Sequence, residues 1–371
     1  MSAVGPGSEE LSAEELDLEE VAESFPKSEP ITFYGTDFDV HGLVRRLNQG
    51  DIVVPNFNPG GEADHEMVGF QRAFVWRRYQ MDRFVESLLL GYPVPGIFLV
   101  QQADNKLLVL DGQQRLRTLQ RFYAGRLEDG TEFDLESVGD EFLRLTYESL
   151  DPELRRALDN SFIHATVIRY DPDQGGDESV YQLFERLNAS GSNLYPHEIR
   201  VALYPGKLVE EIASLNTNID WRSIYGQKNP RLKDQEQILR FLALYTENAT
   251  YKRPLKGFLN SFLKRHRNLE DLDMPALVQL FKDVCSVLAE SAGREAFRTG
   301  GGVNAAMVDA VMIGVARRVR EGDRPDARKL KRALDQLKAD ADFLASVARA
   351  TADEDRVATR LQKATDAFAS A

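Results

Sequence analysis

The residues best suited to chemistry lie in the stretch VLDGQQRLRTL, residues 109–119. An apolar run ends at Asp111-Gly112, and Gln113, Gln114 and Arg115 follow where a helix should begin. Helix N-termini carry a partial positive charge and favour Asp or Glu in the first turn. This turn offers Arg115 and no acid after Asp111. Two readings stay open. In one, Asp111 is an N-cap and Gln114, three residues on, completes a capping box, with Gly112 easing the turn. That accounts for Asp111 and Gln114 and leaves Arg115 unexplained. In the other, the amides at the helix start and the arginine fork make an anion site, and a phosphate relieves the mismatch between arginine and dipole. A nucleotide phosphate or a nucleic-acid backbone is the natural ligand.

Two more stretches carry side chains of the same kind. FQRAFVW (residues 70–76) sets Gln71 and Arg72 ahead of the aromatic pair Phe74 and Trp76. YQLFERLNASGSNLYPHEIR (residues 181–200) places Glu185, Arg186 and Asn188 at a helix end beside a Gly/Ser turn. Each has an ordinary structural explanation, as a solvated loop, a core aromatic pair or an exposed polar face.

Periodicity supplies the scaffold around them. Val40, Leu43, Val44 and Leu47 fall at helical spacing over 38–49, and DIVVP (51–55) reads as a short strand. Residues 56–69 are rich in Gly, Pro and Asn and read as a loop. A helix is expected over 78–90, stopped by Gly91 and Pro93. GIFLV (96–100) and KLLVLD (106–111) suggest a hairpin, and FIHATVIRY (162–170) a further strand. Leu116, Leu119 and Phe122 or Tyr123 share one face of the helix after Asp111, and a helix over 178–188 buries Val180, Leu183, Phe184 and Leu187. Past residue 205 the chain reads as a series of amphipathic helices. The expected fold class is α+β: an acidic leader (1–30), a mixed α/β domain (35–204) and a helical domain (205–371).

The net charge of −13 is unevenly placed. Nine acids against Lys27 give residues 1–30 a net −8, which leaves only −5 for the other 341 residues. The body is close to balanced, so overall acidity argues little against a nucleic-acid partner. Such a leader reads as solvated chain, and Ser12 with Glu15 offers a capping box for a short docking helix. No apolar run approaches the roughly 20 residues of a membrane span, and no basic-then-apolar secretory pattern opens the chain. The single cysteine, Cys285, excludes an internal disulfide. The expected location is the cytoplasm.

Taken in order, the three polar stretches resemble the N-terminal domain of GmrSD-type restriction enzymes, also known as domain of unknown function 262. The pattern QR-x-[FY]-x-W, then E-S-[IL]-L-x-G-x-P-[IV]-P, then [VL]-D-G-Q-Q-R, then F-x-R-[IL]-N and L-x-x-x-E-[IL]-R is matched almost throughout residues 35–200. The resemblance implies a ParB/sulfiredoxin-like fold and phosphate chemistry. Relatives with the Asp-Gly-Gln-Gln-Arg motif are associated with nucleoside triphosphate (NTP) binding and hydrolysis in bacterial anti-phage systems. Carried over by motif, Asp111, Gln113, Gln114 and Arg115 are the catalytic candidates. Gln71, Arg72, Gly112, Arg115, Arg186 and Asn188 are the nucleotide-binding ones. Arg115 and the amides after Gly112 would hold phosphate, Arg72 or Arg186 would neutralise developing charge, and Gln113 or Gln114 would position water. Asp111 would bind Mg²⁺ or orient water.

The sequence also departs from that family. Relatives have Ser or Thr where this chain has Tyr195, which cannot cap a helix as a hydroxyl does, a loss of about 1 kcal/mol. Many relatives carry a C-terminal His-Asn-His-type nuclease, but the last histidine here is His266 and the five histidines show no metal-ligand spacing. No GxxxxGK[ST] loop is present. Residues 316–338 carry nine basic side chains against four acids, and Lys264, Arg265, His266 and Arg267 add to them. Arg317, Arg318, Arg328, Lys329, Lys331 and Arg332 are therefore candidates for tracking a nucleic-acid backbone. The expected role is an NTP-hydrolysing sensor or regulator in a restriction or anti-phage system. Its partners would be NTP with Mg²⁺, a separate effector or DNA, with no membrane and an oligomer allowed. The alternatives are a ParB-like nuclease using Asp111 and Glu185 on a metal, and a non-catalytic DNA- or protein-binding module.

Overall fold

Alternation in FIHATVIR makes β5 (Phe162–Arg169), with Ile163, Ala165 and Val167 buried and Phe162 and His164 exposed. In this computed structural model β5 is the second strand of a five-stranded mixed sheet ordered β1-β5-β3-β4-β2. The structure describes residues 30–55, 76–102, 104–170, 176–188, 195–300, 302–322 and 324–371. The acidic leader and its Ser12–Glu15 box lie outside them.

β1 (Thr32–Asp39) runs antiparallel to β5, with Phe33 opposite Ile168 and Asp37 opposite His164. Its sequence did not announce it: TFYGTDFD holds a glycine and two aspartates, which strands disfavour. Ladder pairing to β5 holds this half-exposed strand. β3 (Ile97–Gln101) lies parallel to β5, and β4 (Leu107–Asp111) returns antiparallel to β3, so the expected hairpin forms. The two-residue β2 (Ile52–Val53) closes the sheet parallel to β4.

Four helices share a core with one face of this sheet. They are α1 (Val40–Gln49), α2 (Arg78–Leu89), α3 (Gln113–Ala124) and α4 (Pro152–Asp159). Their Val40, Leu43, Phe84, Val85, Leu116, Leu119, Phe122 and Leu158 pack in one cluster with Leu99, Val109 and Val167 of the strands. Asp39 caps α1, its carboxylate accepting the Gly42 N–H at 2.6 Å. α4 follows the rule of an acidic N-cap and a proline at the first helical position: Asp151 accepts from the Glu153 and Leu154 amides, both at 2.8 Å. α5 (Gly176–Asn188) lies against β4, with Val180, Tyr181 and Phe184 buried.

The described residues from Tyr195 onward form a second compact unit, and it is helical. It contains α6 (Pro196–Leu203), α7 (Lys207–Leu215), α8 (Ile219–Tyr225), α9 (Lys233–Glu247), α10 (Leu255–Arg265) and α11 (Met274–Ser291). α12 (Ala305–Arg320), α13 (Ala327–Leu337), α14 (Ala341–Ala348) and α15 (Glu354–Phe368) follow. The run ARKLKRALDQLKADADFLASV breaks into α13 and α14 at Asp340, whose carboxylate accepts the Phe343 N–H at 2.8 Å. α12 is buried along Ala306–Ala316. At its heart Asp309 takes Arg240 of α9 through two bonds of 2.9 and 2.7 Å and Arg360 of α15 at 2.8 Å. All three side chains are at most 2 % exposed. Gly314 lets α12 and α15 touch: a β-carbon there would stand 2.8 Å from the Ala364 backbone. Among the described residues no helix is long and apolar enough to cross a membrane.

Candidate phosphate-binding turn

The site grows out of the end of β4. Asp111 is the last strand residue, and Gly112 turns the chain with φ 98° before α3 begins at Gln113. The glycine is required twice. Its φ lies in the left-handed region, and a β-carbon there would stand 2.4 Å from Cγ2 of Ile97. Ile97 on β3 thus forms the floor of the turn, a contact that spacing within the motif does not reveal.

This geometry overturns the capping-box reading. The N-cap is Gly112, with no side-chain cap and no acid in the first turn of α3. Asp111 sits one residue too early to reach the helix amides. Its carboxylate instead meets Arg115, Nη2 to Oδ2 at 2.6 Å, one helical turn along. Gln114 is diverted as well, because its side-chain oxygen accepts the Trp76 N–H at 3.3 Å. Trp76 packs edge to face on Phe84, ring centroids 5.5 Å apart, against the core. The tryptophan of the QR-x-F-x-W element is therefore a structural anchor that reaches the glycine turn through its backbone. Gln71, Arg72 and Phe74 lie outside the described residues, as does the side chain of Asn188.

Arg115 has a feature the sequence did not show. Its side chain is 13 % exposed, while that of Asp111 is 44 % exposed. The Arg115 Nε–H is buried and has no hydrogen-bond partner among the described residues. Leaving such a donor unpaired costs about 1–3 kcal/mol, and the Nε–H groups of Arg155, Arg222 and Arg360 share that state. The first helical bond runs from the Leu116 N–H to the Gly112 carbonyl at 3.0 Å. The amides before it have no carbonyl of their own helix to bond. Gln113 is half-buried and makes no side-chain hydrogen bond among the described residues. Arg186 is exposed near the end of α5, the helix that lies on β4, and no contact joins it to Arg115 among the described residues.

With that geometry in view, residues 44–205 match the family described as GmrSD restriction endonuclease, N-terminal domain. This part of the chain is a GmrSD N-terminal domain. The match runs from within α1 to just past α6, so it leaves out β1 and the start of α1 and takes in the rest of the mixed unit and the opening helix of the helical one. No curated protein matches the chain.

Among the described residues, one carboxylate, that of Asp111, stands at this turn where a cation could use it. No group of three or more His, Cys, Asp or Glu side chains is placed to hold a metal among the described residues. That donor set does not make an all-protein cage. It fits Mg²⁺, which is commonly bound through one or two carboxylates, substrate phosphates and water. Glu185, the second ligand of the nuclease alternative, is half-buried on α5 and already engaged with neighbouring groups.

Where Tyr195 replaces the usual hydroxyl, half of the capping box survives: Glu198 accepts the Tyr195 N–H at 2.6 Å. The ring lies beneath Arg231 and Lys233, whose charges stand 4.4 and 4.8 Å from its centroid. The histidines go separate ways. His164 meets Asp37 at 2.8 Å, His266 meets Glu247 at 2.9 Å, and His197 is buried. Burial pushes the His197 pKa down to about 4, with the nearby Arg200 charge adding to the effect and Glu236 opposing it. His65 lies outside the described residues.

The basic run divides. Arg317 bonds the Thr365 hydroxyl at 2.8 Å, Arg318 the Ala371 carbonyl at 2.9 Å and Arg324 the Glu290 carboxylate at 2.8 Å. Lys331 pairs with Asp335, and Arg265 holds Glu247 through bonds of 2.9 and 2.6 Å. Arg328, Lys329 and Arg332 are exposed on α13, and no acidic side chain pairs with them among the described residues.

Proposed function

We propose that the GmrSD N-terminal domain of this chain binds and hydrolyses a nucleoside triphosphate, as the sensing or regulatory part of a bacterial restriction or anti-phage system. The observation that carries the reading is the Arg115 guanidinium, with its buried and unpaired Nε–H, folded onto a glycine turn at a helix start that has no acid and no cap. A phosphate at this turn receives the arginine fork and backbone amides together and satisfies donors that otherwise lack partners. ParB/sulfiredoxin-like ancestry is part of the same proposal, supported by the order of the motifs.

In hydrolysis a water oxygen attacks the terminal phosphorus and the bond to the bridging oxygen breaks, leaving the diphosphate and inorganic phosphate. Arg115 and the turn amides stabilise the charge on the equatorial oxygens. Gln113, uncommitted among the described residues, orients the attacking water. Gln114 does not suit that task as well, because its oxygen already holds the Trp76 amide. Bound through the phosphates and Asp111, Mg²⁺ would supply charge neutralisation. Arg72, four residues before Trp76, and Arg186 on α5 are the candidates for a second cation on the transferred group. The exposed Arg328, Lys329 and Arg332 of α13 supply a face for DNA or a separate effector.

The test is phosphate release from each of the four NTPs with Mg²⁺, wild type against Arg115→Ala, with folding checked by circular dichroism. Turnover should fall by about 100-fold or more, the usual cost of removing one preorganised charge-stabilising donor. Absence of both turnover and nucleotide binding in the wild type would end this reading.

A further inference from the structure

At the phosphate turn one guanidinium has two suitors. Arg115 Nη2 lies 2.6 Å from Oδ2 of Asp111, the pair bridging the Gly112 turn. The guanidinium is folded against the turn itself, since a β-carbon on Gly112 would stand 3.3 Å from Nη2. An anion entering the turn therefore meets an arginine that is already neutralised and a carboxylate that repels it. Asp111 is the more exposed partner, and the unpaired Nε–H shows that its single contact leaves the fork incompletely used. A metal-free phosphate drawn to the fork must lie against the Asp111 carboxylate, whereas a cation-bearing phosphate gives that carboxylate a partner of its own.

We propose that the Asp111–Arg115 pair is a latch that makes phosphate binding conditional on a divalent cation. Resting on the reading of this turn as an NTP site, the latch works by exchange of partners. The cation carried by the nucleotide draws the Asp111 carboxylate away, and Arg115 turns its fork, Nε–H included, to the phosphate. Metal-free anions lack that exchange and must displace Asp111 unaided. The turn thus rejects free phosphate and metal-free nucleotide, and cation and nucleotide bind with positive coupling.

Calorimetric titration of the full chain with ATP and with GTP, each in EDTA and in Mg²⁺, tests this. Wild type should bind well in Mg²⁺ and at least about tenfold more weakly in EDTA. Asp111→Asn should bind the metal-free nucleotide roughly three- to thirtyfold more tightly than wild type, the range expected for removing a partly exposed opposing charge, and Mg²⁺ should no longer strengthen it. Asp111→Ala removes the acceptor altogether and should behave the same way. Thermal unfolding checks both variants. If wild type binds the Mg²⁺ complex while neither variant gains metal-free affinity, the latch is wrong and the NTP site stands. If wild type binds neither form, the NTP site falls and the latch with it.

Discussion

Two arginine–aspartate arrangements in this chain use the same groups to opposite ends. In the helical unit Asp309 is shared by Arg240 and Arg360, each within 2.9 Å, and none of the three is more than 2 % exposed. Arg360 also donates to the Thr351 carbonyl, and burial lowers its pKa below the usual guanidinium range against the pull of Asp309. In the mixed unit Asp111 and Arg115 share one contact, with an acid that is 44 % exposed and a donor left over. The first arrangement ties α9, α12 and α15 together and has no path to exchange. The second can exchange, because solvent reaches the acid. Exposure of the carboxylate, rather than completeness of the donors, separates the two, because the Arg360 Nε–H also lacks a partner among the described residues.

The comparison breaks most readily at Asp309. Replacing it with Ala leaves two buried guanidiniums without an anion, and stability should fall by about 3–5 kcal/mol in denaturant unfolding. A loss under about 1 kcal/mol would mean that the triad is not the tie described.

His197 sharpens the contrast from a different side. It is buried beside Arg200 and Glu236, and neither ring nitrogen has a hydrogen-bond partner among the described residues. Its folded pKa of about 4 lies below the unfolded value of about 6.5, so between these values the unfolded chain binds more protons. Its contribution is therefore constant above pH 6.5 and is lost as pH falls toward 4, by up to about 3 kcal/mol. His197→Leu should remove that part of the acid sensitivity, read as the difference in unfolding midpoint between pH 7.5 and 4.5. An unchanged difference would show that the ring is solvated or paired.

The smallest effect is expected at the turn. Arg115→Ala should change stability by no more than about 1 kcal/mol, because the pair it removes is partly exposed and its buried Nε–H vanishes with it. Stability and ligand binding should thus separate at Arg115 and coincide at Asp309.

Much of the mixed unit was legible in the sequence. Strand alternation in FIHATVIRY and the apolar runs of the β3–β4 hairpin gave strands within a residue or so of those observed. β1 was missed because its residues suit a strand poorly and its partner lies more than 120 residues away. α4 was passed over although Asp151-Pro152 opens it by the usual rule. At the site, the motif identified Arg115 as anomalous but not its resting partner. That depends on which residue becomes the N-cap, and the left-handed Gly112 displaced Asp111 from that place by one position. The Trp76–Gln114 bond and the Ile97 floor were beyond reach, since both join residues remote in sequence. In the basic run the charges could be counted from the sequence but their pairing with Glu290, Asp335 and a backbone carbonyl could not, since most of those partners lie elsewhere in the chain.

The tie between Trp76 and Gln114 has an optical consequence. The chain has two tryptophans, and the other, Trp221, is fully buried in the helical unit with its indole N–H on Asn216 at 2.9 Å. Each unit therefore carries its own intrinsic fluorophore. Trp76 is held by its backbone to the residue preceding Arg115, so its emission is placed to register rearrangement of the turn while Trp221 reports on the helical core. With Trp221 silenced by a Phe substitution, the protein supplies its own dye for events at the Gly112 turn.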